Sequence, residues 1–504
     1  MSSHITSIVQ NGSDGVLADI ESHQTAGLPA IVIVGSANRA LEEAKERLRG
    51  AFNSSQLRLP RKRITLNLAP ADIPKQGTDY DLALAVAILV ADRQIPNQPP
   101  PSHVFIGELG LDGAVRSVRG IIGKLLTARK LGCRRFYLPV NNLAQALLVP
   151  DIEVIAIKSL QQVYEHLIGL SRLPLASSDD TAPPEPSNTT YAADLHYIVG
   201  QTNAKRALEI AAAGNHNIIL TGAPGTGKSM LAKALPTILP PLEREEMLEV
   251  TQLHSLASLK FDQIITARPF RAPHHSASQQ AMIGGGTMVK PGEISLSHKG
   301  VLFLDEFPEF RREILECLRQ PLEDGYINVA RSRQAVTYPA DFLLVATANP
   351  CPCGYYETGQ LCTCQAYQRL RYRQQLSGPV FDRIDLDIEL EPTIQPKLLT
   401  AQPNEESSHT VQARVTNARR RQLARSGCLN SQLDNRGIKR FCKLTAQAQY
   451  NLNRRAVLMH LSARVYFRTI KVAQTIADLD DSTRIDYQHI NEALQFRSTP
   501  KDDL

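Results

Sequence analysis

Gly222-Ala223-Pro224-Gly225-Thr226-Gly227-Lys228-Ser229 decides the reading of this 504-residue chain. The octet follows the apolar run NIIL at 217–220 and opens the helical stretch SMLAKALPTIL. Strand, glycine loop and helix in that order fit G-x-x-x-x-G-K-[ST] in both spacing and context. Glycines let backbone N–H groups converge on phosphate oxygens at a helix N-terminus, where orphan donors and the dipole favour an anion. Gly222, Pro224, Gly225, Thr226 and Gly227 then form the cradle, Lys228 reaches the β- and γ-phosphates, and Ser229 ligates Mg²⁺.

Other segments complete such a site. VLFL at 301–304 is apolar and ends in Asp305 and Glu306. At a strand's carboxyl end, Asp305 can hold the metal's water shell and Glu306 can polarise an attacking water. FLLVATAN at 342–349 ends on Asn349, an amide suited to orienting water or contacting the γ-phosphate. GPVFDRIDL at 378–386 presents Arg383 on a short turn. An arginine lent by a neighbouring subunit can stabilise transition-state charge, an effect of ~10³–10⁵ in rate in other nucleotide hydrolases.

Composition frames these motifs. With 43% hydrophobic and 21% charged residues the chain can build packed cores, and its length calls for two or three domains. The longest apolar run, 82–91, is half a bilayer span, and the start lacks a basic region followed by an apolar core. Neither a membrane helix nor a secretory leader is expected. Eight cysteines, four of them clustered, point to a reducing compartment, the cytoplasm. The net charge of +6 conceals an asymmetry, because 411–471 holds fourteen Lys/Arg against one acid, Asp434. A polyanion is a natural partner for that block, and a solvated basic face is the plainer alternative. Strand and helix alternate over 1–170, an α/β domain. A Pro-, Ser- and Thr-rich linker follows at 171–193, then a parallel-sheet α/β domain at 194–393 and a basic helical region at 394–504.

RPFRAPHHSAS (268–278), GGGTMVKPGEISLSHKGVLFLDEFPEF (284–310), ANPCPCG (348–354), GPVFDRIDL and LSARVYFRTIKVAQTIADL (461–479) add a resemblance. Residues 196–504 look like an AAA+ ATPase module of the helix-2-insert clade, with a C-terminal helical lid. The entire chain resembles the YifB/ComM family of magnesium-chelatase-like AAA+ proteins. The resemblance implies a homo-hexameric ring with ATP and Mg²⁺ at subunit interfaces, Arg383 as a trans arginine finger, and Arg464 at the sensor-2 position, with Arg468 as its alternative. It further implies a DNA helicase that promotes branch migration and integration of single-stranded DNA by homologous recombination during natural transformation. Its partners would be single- and double-stranded DNA and recombination proteins, with no membrane. A protein remodeller, as magnesium-chelatase motors are, is the rival reading. A ring that uses ATP only to assemble is a third, opposed by the intact Glu306, Asn349 and Arg383.

Two insertions of that clade can be located. The loop 283–292 is tipped by Lys290, and 326–338 reads as a hairpin with Arg331 and Arg333 near its tip. In related helicases such loops line the pore, and here the three cations suit gripping of the phosphate backbone. A surface hairpin with salt-bridged arginines is the alternative. His274-His275 has no acid near it in sequence and reads as structural. Cys351, Cys353, Cys362 and Cys364 suit tetrahedral Zn²⁺ in a knuckle at 351–364, against reduced thiols or a redox pair. Arg369, Arg371 and Arg373 beside them suggest that this loop faces nucleic acid.

Residues 66–141 resemble the Lon protease proteolytic domain, an S5 domain 2-like fold. Aligned on its nucleophile turn, this chain reads Gly77-Thr78-Asp79-Tyr80-Asp81, with Asp79 near the nucleophile's place. The catalytic lysine position falls on Ile122, while Lys124 matches a non-catalytic basic residue. The expectation is a Lon-like fold without peptidase chemistry.

Overall fold

The structure is a computed structural model that describes residues 2–11, 14–34, 39–70, 78–176, 194–257, 262–286, 289–331, 334–357, 361–376, 380–391 and 406–497. An N-terminal α/β body is built on a seven-stranded mixed sheet. Its centre is a long antiparallel hairpin, Ser2–Asn11 with Asp14–Thr25, which the sequence reading did not contain. Beyond Asp14–Thr25 come Arg63–Ala69 and then Ala30–Val34; beyond Ser2–Asn11 come His103–Phe105, Arg135–Pro139 and Glu153–Ile157. Alternate residues face opposite sides of each strand. Helices Arg39–Ser54, Asp81–Ala91 and Leu160–Leu167 cover one face, and Ile121–Lys130 with Leu143–Ala146 the other. The apolar run noted above is the helix Asp81–Ala91, buried at every residue but Val90. Among the described residues no helix is long and apolar enough to cross a membrane. The expected linker starts late: Leu173 packs on this core and the Ala176 amide donates to Val154 O at 2.8 Å, so 171–176 belong to the body.

The central region carries a five-stranded parallel sheet in the order Phe270–Arg271, Val301–Leu304, Leu343–Ala348, Ile218–Gly222, Leu386–Leu390. Its three inner strands are buried throughout or nearly so, the pattern of a sheet covered on both faces. Their carboxyl ends are level, since Leu220 lies beside Thr347 and Leu304 beside Ala346. In open α/β sheets that edge is where ligands bind. The hairpin forms as expected from Tyr326–Arg331 and Gln334–Pro339. Gly284–Gly285 pairs with Lys290–Pro291, and Tyr338 Oη donates to Val289 O at 2.7 Å, joining the two insertions.

The C-terminal region is helical. Helices Ser408–Ser426, Asn435–Phe441, Ala446–Leu458, Ala463–Leu479 and Tyr487–Gln495 each start behind a capping residue, namely Ser407, Asp434, Thr445, Ser462 and Asp486, whose side chain accepts a backbone N–H. Such caps contribute about 1 kcal/mol each. Val411, Val415, Ile470 and Ile476 share a single hydrophobic cluster with Ala207, Ala211, Leu231 and Leu235 under the central sheet. The N-terminal body touches the central region: Arg244, on helix Arg244–Ala257, donates to Leu147 O at 3.1 Å, and Gln145 donates to Gln263 O, beyond that helix, at 3.0 Å.

Candidate active site

The loop Gly222–Ser229 turns from strand to helix with Gly225 and Gly227 at φ +81° and +90°, a region that disfavours side chains. A Cβ at either would meet nothing within 4 Å, so the loop is open at both positions. Lys228 Nζ crosses it, donating to Gly222 O at 2.6 Å, Ala223 O at 2.9 Å and Asn349 Oδ1 at 3.1 Å. Burial draws the ammonium's pKa below its ordinary value, with Asp305 and Glu306 opposing that. Ser229 Oγ donates to Asp305 Oδ2 at 3.1 Å, so hydroxyl and carboxylate could face one cation.

Thr347, which the sequence reading missed, ties the two acids together. Its hydroxyl donates to Asp305 Oδ1 at 2.5 Å and accepts the Glu306 amide at 3.0 Å. Glu306 adopts φ +55°, which costs about 1–3 kcal/mol in a non-glycine residue. The expectation that His274-His275 lacks an acid is corrected by the fold: His275 Nδ1 lies 3.6 Å from Glu306 Oε2. The acid comes from the next strand, so no spacing within the histidine segment could reveal it.

Arg383 and Arg464 lie elsewhere. Both point to Glu323, Arg383 in a close ion pair and Arg464 at 3.9 Å, and Arg464 also lies 3.7 Å from Asp382. Arg468 sits 3.5 Å from Asp385. Burial alone would push Asp385 up, but His216, Arg468 and Arg497 hold its carboxyl below the usual range. Glu323, Arg383, Asp385, Arg464 and Arg468 line an open cleft of about 870 Å³ whose lining contains no residue of the phosphate loop.

The description "Magnesium chelatase, subunit ChlI" matches residues 194–398, "Subunit ChlI of Mg-chelatase" 20–142, and the ChlI C-terminal description 405–497. YifB of Salmonella typhimurium is 43% identical over 481 residues, 95% of this chain and 94% of its own. Competence protein ComM of Haemophilus influenzae is 42% identical over 97% of this chain and 96% of its own. The chain belongs to the magnesium-chelatase-like YifB/ComM family. DNA repair protein RadA of Streptococcus pneumoniae matches a shorter segment, 40% identical over 87 residues, 17% of this chain and 20% of its own.

For this YifB/ComM-family member, the other expected sites fare unevenly. The four cysteines converge: Sγ separations are 3.3 Å (Cys351–Cys353), 3.8 Å (Cys351–Cys362) and 3.6 Å (Cys353–Cys362), and all four lie within 4.8 Å of one another. A tetrahedral Zn²⁺ with bonds of about 2.3 Å puts sulfurs about 3.8 Å apart, so the set fits zinc. The Tyr355 amide, then Cys351 and neighbouring groups, pull the Cys353 thiol down to about 5. Arg369 braces this turn, donating to Cys364 O at 3.2 Å and stacking 4.5 Å over Tyr356, and Arg371 is exposed. Lys290 is exposed, Arg331 ends its strand opposite Gln334, and Arg333 lies outside the described residues.

The basic block needs correction too. Of its fourteen cations, Arg414, Arg419, Arg421, Arg425, Arg464, Arg468 and Lys471 are engaged by acids or carbonyls of the chain itself. Arg420, Arg436, Lys439, Arg440, Lys443, Arg454 and Arg455 are exposed. In the N-terminal body, Lys124 is more than a bystander. Its fully buried ammonium bonds Asp79 Oδ2 at 2.5 Å and Arg119 O at 2.7 Å, while Thr78 donates to Glu108. Ile122, at the expected lysine position, is buried in the core.

Proposed function

We propose that this chain is an ATP-driven DNA motor of the helix-2-insert AAA+ clade, acting as a homo-hexameric ring in the cytoplasm. The observation that carries this reading is a divided site. Lys228, Ser229, Asp305, Glu306 and Asn349 gather at one sheet edge, whereas Arg383 and Arg464 stand together in a cleft without a phosphate loop. Each half is completed by a neighbouring copy. Bound Mg²⁺–ATP supplies the phosphoanhydride and offsets the charge on its oxygens. Lys228 exchanges its carbonyl partners for phosphate, and Ser229 and Asp305 hold the metal side. Glu306, fixed through Thr347, polarises water, with Asn349 orienting it. Arg383 reaches the next subunit's phosphates as the arginine finger, a contribution of ~10³–10⁵ in rate, with Arg464 in the sensor-2 role.

Lys290, Arg331 and Arg333 grip the DNA backbone from the two joined insertions, and the four thiolates hold a structural Zn²⁺. In the Lon-like body Asp79, near the nucleophile's place, is locked to Lys124, which supports a fold without peptidase chemistry. Relationship to ComM supports a role in integrating single-stranded DNA during transformation, beside recombination proteins. The test is ATP-dependent strand displacement on a labelled three-stranded fork, with Glu306→Gln as the inactive control. Displacement by the unmodified protein alone is expected; no displacement, with ATP hydrolysis indifferent to DNA, rejects the motor. The second reading, a protein remodeller, draws support from the internal engagement of half the basic block, and that result would favour it.

A further inference from the structure

The thiol cluster is built against the phosphate site. Asn349, which accepts the Lys228 ammonium, is two residues before Cys351, a fully buried thiol. The turn after Cys351 closes with the Gly354 amide donating to Cys351 O at 2.9 Å. Gly354 adopts φ +87°, and a Cβ there would lie 2.6 Å from Pro224 Cδ and 2.7 Å from Cγ. Pro224 belongs to the phosphate loop itself. The cluster therefore meets the loop twice, through the chain at Asn349 and through space at Pro224. Tyr372, buried on the helix Ala366–Leu376 that follows the cluster, also bonds the Asn349 backbone. Without a metal, the residues from Cys351 to Cys364 have few apolar side chains to hold this arrangement.

We propose that metal occupancy of Cys351, Cys353, Cys362 and Cys364 is thermodynamically coupled to nucleotide occupancy of the phosphate loop. Zinc fixes the turn that bears on Pro224 and Asn349, so the loop keeps its anion-ready shape without being ordered anew at each binding event. Coupling between two sites is reciprocal and typically amounts to about 5–150-fold in affinity. The nucleotide accordingly retains the metal as strongly as the metal favours the nucleotide. This inference rests on the zinc and ATP readings given above.

The experiment uses the full chain. Affinity for a fluorescent ATP analogue is measured in zinc-loaded and chelator-stripped protein, and zinc release to a chromophoric chelator is followed with and without Mg²⁺–ATP. Stripping is expected to weaken nucleotide binding about tenfold, and Mg²⁺–ATP to lower apparent zinc loss by a similar factor. Gly354→Ala, which keeps all four thiols, is expected to retain one zinc per chain yet bind nucleotide more weakly. That variant decides the matter if the stripped protein loses its fold by circular dichroism. Loaded protein with equal affinities in every comparison overturns the coupling alone. A purified protein that takes up no zinc refutes the metal reading, and zinc-loaded protein that binds no nucleotide refutes the ATP reading; both remove the proposal with them.

Discussion

Asp79→Ala probes the buried Asp79–Lys124 ion pair of the N-terminal body. Lys124 has no exposed side-chain surface, and Asp79 is 12% exposed. Removing the carboxylate leaves a buried ammonium held by the Arg119 carbonyl. Breaking a buried pair from one side costs about 3–5 kcal/mol, because the abandoned charge remains desolvated. For a domain of this size each kcal/mol moves the midpoint by about 2–4 °C, so a fall of about 10 °C is expected for the N-terminal body. Lys124→Met removes the charge itself and leaves a carboxylate nearer to solvent, so its cost is smaller. In the Lys124→Met background, Asp79→Ala should cost much less than it does alone, a coupling of about 2 kcal/mol or more. Scanning calorimetry of the four proteins completes the cycle. Equal costs of Asp79→Ala in both backgrounds would refute the argument that the pair, rather than the position, carries the energy.

Lys228→Ala should abolish nucleotide binding by equilibrium titration, and retained affinity would displace the phosphate-loop assignment. Arg331→Ala with Arg333→Ala should weaken DNA binding and lower its salt slope by about one for each phosphate left unneutralised; an unchanged slope places the DNA against other residues. Metal analysis should find about one zinc per chain, absent after Cys351→Ser with Cys353→Ser. Burial lowers the pKa of His103, His166 and His254, so the folded chain binds these protons less readily than the unfolded one. The unfolded chain takes up those protons below about pH 6.5, so their contribution to stability is present above that value and lost as pH falls through it. Thermal midpoints should drop between pH 7 and 5.5, and His254→Gln, which keeps a donor for Leu296 O, should flatten part of the drop.

Local chemistry was readable wherever a residue's role follows from its own neighbours in the chain. The phosphate loop, the apolar strands ending in Asp305 and Asn349, and the arginine hairpin all announce themselves within a few positions. The Ser2–Thr25 hairpin did not, because Ser3 and Ser7 occupy core positions. Their hydroxyls reach Ala87 O at 2.8 Å and Phe105 O at 2.7 Å, and that breaks the hydrophobic alternation a strand normally displays. Glu323, Thr347 and the acid facing His275 were hidden for a different reason. Each acts across the fold on a partner that only the tertiary arrangement selects. The same applies to Arg414 and Arg425, whose charges look free in sequence but are met by Glu209 and Asp478.

The cluster shared by the C-terminal helices and the central sheet sets the stiffness of the molecule. Swinging those helices away would expose Val411, Val415, Ile470 and Ile476 with the alanines and leucines beneath them, at a cost on the order of 10 kcal/mol. A hinge at that seam is too expensive to open on each turnover. The two regions therefore hold together as one body, and on the motor reading a displacement driven at the phosphate loop would be delivered at the outer surface of the subunit, against a neighbouring copy.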